Sequence, residues 1–167
     1  MEYSIFIEKY TKNKYPHNML ELFLKDNFGN INLNLIEGKT VVFYILNNNE
    51  IISSVCTIND LDLINYLTEI NPDYLNLYSI KAKIGAHIYN LATNKNYREK
   101  GVGKKIIGIT LYSLKQMNYE YCHTHVEENN HSKKIFMNKG FHITNKIPIN
   151  PLLSNGETLL DLNFWID

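Results

Sequence analysis

The order of apolar and polar residues along the chain predicts a mixed α/β fold. Apolar, β-branched or alternating runs predict strands at residues 3–8, 41–46, 51–58, 79–93, 119–126, 141–147 and 157–166. Apolar residues at three- to four-residue spacing predict helices at residues 15–27 and 102–117, and shorter helices are expected at residues 61–70 and 129–139. The second half of the chain therefore contains two strand–helix units.

Turn-forming residues separate these elements. The first helix should end near Gly29 and the last near Gly140, because glycine adopts the left-handed conformation that closes a helix. Asn-Asn-Asn-Glu at 47–50 lies between two apolar runs and predicts a β-hairpin, since asparagine tolerates left-handed turns. Asn-Pro at 71–72 should stop the second helix, and residues 94–96 should form a loop.

Length, charge and cysteine content limit the classes of protein. A chain of 167 residues fits one domain, which we place at residues 1–167. The 17 basic and 17 acidic residues balance, which argues against a nucleic acid or an anionic membrane as partner. Cys56 and Cys122 are not spaced as a metal-binding pair and are interpreted as buried thiols. With no signal-like start and no membrane-length apolar run, we expect a soluble cytoplasmic protein.

The segment 98–103, Arg-Glu-Lys-Gly-Val-Gly, is the strongest candidate for a binding site. A strand runs into a glycine-containing turn that opens a helix, where unpaired backbone N–H groups and the helix dipole favour phosphate. Side chains at Gly101 or Gly103 would hold a phosphate away from those amides. The stretch is also the most cationic of the chain, with Lys95, Arg98, Lys100, Lys104 and Lys105. The alternative is a solvated basic loop before a helix.

Two other glycine motifs do not fit. A dinucleotide-binding fingerprint requires a third glycine where Ile106 stands. A P-loop requires a glycine five residues before Gly103 and a Ser or Thr after the lysine, but Arg98 and Lys105 occupy those positions. The turn therefore does not indicate either nucleotide-binding fold.

Residues 91–103, Leu-Ala-Thr-Asn-Lys-Asn-Tyr-Arg-Glu-Lys-Gly-Val-Gly, resemble the core motif of the GNAT superfamily of acetyl-CoA-dependent N-acetyltransferases. A second stretch resembles the next module of that family: Asn129, Ser132, the aromatic Phe136 and Gly-Phe at 140–141 follow the predicted strand at matching spacing. The resemblance implies a mixed, mostly antiparallel central sheet flanked by helices, with the fourth and fifth strands parallel and splayed at the CoA site.

The resemblance also assigns the cosubstrate, acetyl-CoA, without a metal. Backbone groups of Leu91 and Thr93 would pair with the pantetheine arm and the acetyl carbonyl, and the Leu91 contact would stabilise the oxyanion. Asn129 would reach CoA from the next helix, or act as a plain helix N-cap. The full set of implied cofactor-binding residues is Leu91, Ala92, Thr93, Arg98, Glu99, Lys100, Gly101, Val102, Gly103, Lys104, Asn129, Ser132 and Phe136.

The groups that would move protons are less clearly marked. Phe136 stands where the family most often has a tyrosine that protonates the departing thiolate, so another donor or solvent must serve. His123 and His125 share one face of the predicted strand and have a suitable pKa range for a general base. By family register, however, Thr124 faces the acceptor, which leaves Glu127 and a bound water as alternatives. A metal at the two histidines would need a third ligand, which no spacing in the sequence provides.

Three hypotheses follow. The first is direct acetyl transfer to a primary amine of a small molecule or peptide, without a covalent intermediate, since nothing pairs Cys122 with an activating base. The second is a catalytically weak acyl-CoA-binding or sensing domain of the same fold. The third is an interaction module that binds no CoA. The acceptor pocket could include Tyr78, Tyr89, Tyr119 and Tyr121, although aromatic residues on strands are more often core. A homodimer is left open.

Overall fold

A computed structural model describes residues 3–29, 33–70, 85–147 and 158–166. Seven strands and four α-helices occur in these ranges. In chain order they are β1 (Ser4–Lys9), α1 (His17–Phe28), β2 (Val41–Asn47), β3 (Glu50–Asn59), α2 (Asp60–Ile70), β4 (Ala86–Thr93), α3 (Val102–Gln116), β5 (Tyr121–Glu127), α4 (Ser132–Met137), β6 (His142–Ile147) and β7 (Leu159–Trp165). The predicted α/β class is confirmed.

The strands form one sheet with the order β1-β2-β3-β4-β5-β7-β6. The pairs β1–β2, β2–β3, β5–β7 and β6–β7 are antiparallel, whereas β4 and β5 are parallel. The parallel register joins Ala86 to Cys122 and His87 to His123, at the first residues of the two strands. The predicted mixed sheet with a parallel central pair is therefore confirmed.

The hairpin between β2 and β3 forms as its asparagines predict. Asn48 and Asn49 have φ of 49° and 63°, the left-handed values that a tight hairpin turn requires. Gly29 follows α1 with φ of 72°, and its N–H bonds to the carbonyl of Lys25. The first helix thus ends where glycine predicts.

Two predicted elements differ from the structure. Residues 94–96 do not form an open loop: Lys95–Tyr97 is a 3₁₀ turn, and the Asn94 side chain accepts from the N–H of Asn96. The helix predicted at 129–139 is shorter, because α4 spans only Ser132–Met137. Gly140, with φ of 97°, lies beyond the end of α4, in the turn that leads to β6. The predicted strand start at 79–84 and the stop at 71–72 lie outside the described residues.

Residue contacts divide the chain into two compact units, Met1–Thr57 with Tyr89–Thr110, and Ile58–Ile88 with Leu111–Asp167. The single domain inferred from chain length stays a prediction. In the first unit α1 covers the sheet, and the buried cluster consists of Tyr10, Leu20, Leu24, Leu33, Val42, Tyr44, Ile51, Cys56 and Ala92. In the second unit, Phe136 packs edge-on against Phe141, which stacks on Phe164. Each unit thus buries its own apolar face.

Among the described residues, no helix has the length and apolar character needed to cross a membrane.

Candidate active site

The turn at 98–103 has the backbone geometry that its glycine requires. Gly101 adopts φ of +76°, and no atom lies within 4 Å of the position where a Cβ would stand. Glu99 also has a positive φ, 62°. The first bond of the α3 ladder joins the N–H of Lys105 to the carbonyl of Gly101. The amides of Val102, Gly103 and Lys104 therefore precede the ladder, as anion-binding amides do.

The basic side chains around the turn are not equally available. Lys100 lies over the ring of Tyr97 at 5.3 Å, and Lys105 over the ring of Tyr3 at 5.1 Å. Lys104 is exposed in the first turn of α3. Aromatic rings thus position Lys100 and Lys105, and with Lys104 they concentrate positive charge beside the amides that precede the α3 ladder.

Arg98 connects the turn to the end of β4. Its Nε donates to the carbonyl of Thr93 over 3.1 Å, and Nη2 contacts Asn27 Oδ1 at 3.4 Å. Ser53 Oγ also donates to the carbonyl of Ala92 at 2.9 Å and lies 3.1 Å from Thr93 Oγ1. These bonds fix the strand end to which the resemblance assigns the pantetheine arm.

A left-handed residue interrupts β4 just before that end. Asn90 has φ of 52°, and its side chain donates to the carbonyl of Leu33 over 2.6 Å. A single residue in this conformation bends a strand and redirects the peptide groups that follow. The first residue after the bend is Leu91, which is half-buried, so the bend changes the direction of its peptide groups. The predicted oxyanion contact at Leu91 stays a prediction.

The second predicted module has a different local structure from the one expected. Asn129 is exposed and lies three residues before α4, so its alternative role as helix N-cap is wrong. Asn130 takes the comparable position, because its Oδ1 accepts from the N–H of Ser132 at 2.9 Å. Phe136 is 1% exposed and packs on Phe141 at 5.1 Å between ring centroids. The contacts of Asn129, Ser132 and Phe136 with CoA stay predictions.

His123 and His125 belong to a polar cluster in the second unit that the sequence pattern did not reveal. His123 Nε2 lies 2.7 Å from Asp60 Oδ1, and its Nδ1 lies 3.4 Å from Nδ1 of His87. His125 Nε2 lies 3.5 Å from Asp161 Oδ1. The imidazoles of His123 and His125 therefore each face a carboxylate inside the fold. His87 lies beside them, and its burial keeps the pKa of its imidazole well below the ordinary value.

Asp161 is a third side chain able to bind a metal beside His123 and His125, and its spacing in the sequence did not indicate this. Burial alone would raise its pKa, but His125, His123 and Thr144 outweigh burial and hold the pKa of the carboxyl below its usual value. It lies opposite His125 in the β5–β7 register. Because this pairing joins residues 36 positions apart, no local spacing could have shown it.

The remaining candidates are mostly structural. Both cysteines are buried, and burial raises the pKa of the Cys56 thiol to about 12 and that of Cys122 further. Tyr89 Oη donates to the carbonyl of Asn34, and Tyr121 is buried with a hydrogen bond to Asn163. These tyrosines hold the core together, and Tyr78 lies outside the described residues.

Residues 75–149 match the family model for the acetyltransferase (GNAT) domain. Over this segment, which is less than half of the chain, the sequence is similar to GNAT acetyltransferases. The matched region includes both modules on which the resemblance rests, from the strand end at Leu91 to Phe141. No curated protein matches the chain in sequence.

Solved structures with this GNAT fold cover nearly the whole chain. Ribosomal-protein-S18-alanine N-acetyltransferase from Escherichia coli is 11% identical, with a TM-score of 0.66 over 98% of this chain and 95% of that chain. Arabidopsis thaliana NAA60 in complex with acetyl-CoA is 15% identical, with a TM-score of 0.65 over 98% and 99%. The NatC complex bound to Gag peptide and CoA is 13% identical, with a TM-score of 0.71 over 98% and 99%. At these identities the likeness establishes the fold.

Among the glycines of the described residues, Gly85 leaves the least room for a side chain. A Cβ there would lie 2.7 Å from Asp60 Oδ2 and closer still to the Tyr121 ring. We expect Gly85→Ala to lower the free energy of unfolding by about 1–3 kcal/mol, because neither neighbour can move without breaking a hydrogen bond. Urea denaturation measures the change. An unchanged unfolding midpoint would contradict this placement of β4 against β5.

Proposed function

We propose that this GNAT domain transfers an acetyl group from acetyl-CoA to a primary amine by direct attack in a ternary complex. The observation that carries the proposal is the turn at 98–103. Gly101 has left-handed φ with open space around it, and the amides of Val102, Gly103 and Lys104 precede the α3 ladder. This arrangement suits the diphosphate of CoA, and the family match supplies the reaction class.

The state of Cys122 supports direct attack over a covalent acetyl-enzyme. Its side chain is fully buried, and burial raises the pKa of its thiol, so the nucleophilic thiolate is not formed near neutral pH. We expect Cys122→Ala to retain turnover. Mass spectrometry of the enzyme mixed with acetyl-CoA alone should detect no acetyl adduct. An adduct on Cys122 that an amine then removes would overturn direct transfer.

Glu127 is our proposed general base, with His125 and His123 as the other candidates. Glu127 is the last residue of β5 and is half-buried at the carboxyl end of the strand. The two imidazoles already lie beside Asp60 and Asp161. A carboxylate at the strand end can accept the ammonium proton directly or through water.

The alternative is a catalytically weak acyl-CoA-binding domain of the same fold. Phe136 favours it, because a buried phenylalanine cannot protonate the leaving thiolate. Calorimetry with acetyl-CoA should give binding under either proposal, and absence of binding would overturn both. Thiol release with polyamines, amino sugars, aminoglycosides and peptide N-termini then separates the enzyme from the sensor. The cytoplasmic location inferred from the sequence stays a prediction.

A further inference from the structure

Three strands direct imidazole and carboxylate groups to one place in the second unit. The parallel register pairs His87 of β4 with His123 of β5, and the antiparallel register pairs His125 of β5 with Asp161 of β7. Because His123 and His125 are two residues apart, their side chains leave the same face of the strand. Ligand atoms of His123, His125 and Asp161 therefore converge, and His87 adjoins them through contacts with the rings of His123 and His125.

The distances within this group suit a small divalent cation. One ligand atom each from His123, His125 and Asp161 lies within 4.8 Å of the others. Two separations, His87 Nδ1 to His123 Nδ1 and His125 Nε2 to Asp161 Oδ1, are 3.4 and 3.5 Å. Ligand atoms around a tetrahedral zinc ion, with bonds of about 2.0–2.1 Å, stand about 3.4 Å apart.

One oxygen of Asp161 is poorly satisfied by the protein. The residue is 5% exposed, and within the described part of the chain its buried Oδ1 has no contact of good hydrogen-bond geometry, the nearest imidazole nitrogen being His125 Nε2 at 3.5 Å. The other oxygen, Oδ2, accepts from Thr144 Oγ1 at 3.1 Å. A buried carboxylate oxygen with only a long contact is costly, and a cation bound between it and His125 would remove that cost.

Groups behind the ligands hold them in position. His123 Nε2 bonds to Asp60 Oδ1 at 2.7 Å, which directs Nδ1 of the same ring towards His87. Asp60 is held in turn by the N–H of Gly85, which donates to Oδ2 at 3.1 Å. A carboxylate on the distal nitrogen of a histidine is the usual support of a metal-binding imidazole.

We propose that His123, His125 and Asp161, with His87 as fourth ligand, bind one Zn²⁺ ion. Imidazole and carboxylate donors in tetrahedral arrangement suit this ion. Four protein ligands leave no open position, so the ion joins β4, β5 and β7 and stabilises the fold without entering acetyl transfer. The proposal does not rest on the acetyltransferase activity, but a bound ion would remove His123 and His125 as general bases and leave Glu127 or water.

The test uses the full chain without an affinity tag, stripped with a chelator and titrated with Zn²⁺ or Co²⁺. We expect one equivalent of Zn²⁺ per chain, a higher melting temperature and, with Co²⁺, the visible absorption of a tetrahedral site. His125→Ala and Asp161→Asn should lose the equivalent, whereas the exposed His142→Ala should keep it. Asp60→Asn, which removes a supporting group, should weaken affinity by about 10–100-fold.

Failure of the unaltered chain to bind either ion or to gain thermal stability would overturn the site. Full Zn²⁺ binding by a folded His125→Ala variant would do the same. Because far-UV circular dichroism and acetyl-CoA calorimetry are measured on every variant, loss of metal is distinguished from loss of fold. A variant that unfolds is replaced by His125→Gln, and the Co²⁺ spectrum of the unaltered chain decides the matter without any substitution.

Discussion

Gly103→Glu should abolish acetyl-CoA binding, with a loss of at least about a hundredfold in affinity. Gly103 is buried in the first turn of α3, and its amide is one of three that precede the helical ladder. A glutamate side chain would occupy the space expected for the diphosphate and would repel its charge. Each charge-assisted hydrogen bond lost contributes about 1.5–3 kcal/mol, so two of them account for the effect. Isothermal titration calorimetry measures it.

The matched control is Gln116→Glu, which makes the same charge change at the exposed last residue of the same helix. Its affinity for acetyl-CoA should stay close to that of the unaltered chain. If Gly103→Glu does not fold, Gly101→Ala replaces it: its Cβ meets nothing within 4 Å, so the strain of an alanine at φ of +76° is the main effect. Unchanged affinity in a folded Gly103→Glu variant would place the donor site elsewhere.

Glu127→Gln should lower kcat by about a hundredfold while leaving the affinity for acetyl-CoA unchanged. The amide keeps the size of the carboxylate but cannot accept the proton that the substrate ammonium group must lose before its nitrogen attacks the acetyl carbonyl. Steady-state thiol release at saturating acetyl-CoA measures kcat. The defect should shrink as pH rises, because more of the amine is then already neutral.

Glu128→Gln is the control for this change. Glu128 is the next residue, and an ion pair with Lys146 at 2.8 Å lowers the pKa of its carboxyl. The pair is exposed, so its loss should hardly change stability, and kcat should be unaffected. Equal rates for Glu127→Gln and the unaltered enzyme would return the role of base to His125, His123 or water.

A candidate donor site could be proposed from sequence because the features of a phosphate-binding turn are local. Gly101, Gly103 and the basic residues around them lie within one short segment, and such a turn depends mainly on the backbone of that segment. The structure added how the segment is held: Arg98 bonds to the carbonyl of Thr93, and Lys100 and Lys105 lie over aromatic rings. The contact of Lys105 with Tyr3 joins distant parts of the chain, so the spacing of residues in the sequence does not predict it.

Helix ends were predicted with unequal success. α1 ends before Gly29 and α2 ends at Ile70 as expected, but α4 begins three residues later than predicted and ends before Gly140. Before α4 the side chain of Asn130 accepts from the N–H of Ser132 and forms a turn instead of a helical start. Asparagine competes with helix formation through such local bonds, which apolar periodicity does not register.

By itself the sequence determined the α/β class, the hairpin at Asn48 and Asn49, and the glycine turn that indicates acetyl-CoA, because each depends on residues close together in the chain. Only the tertiary structure decided the surroundings of His123 and His125. Their partners Asp60, His87 and Asp161 arrive from α2, β4 and β7, and strand pairing sets those contacts over long stretches of chain. A third ligand for two histidines therefore appears only after the sheet has formed.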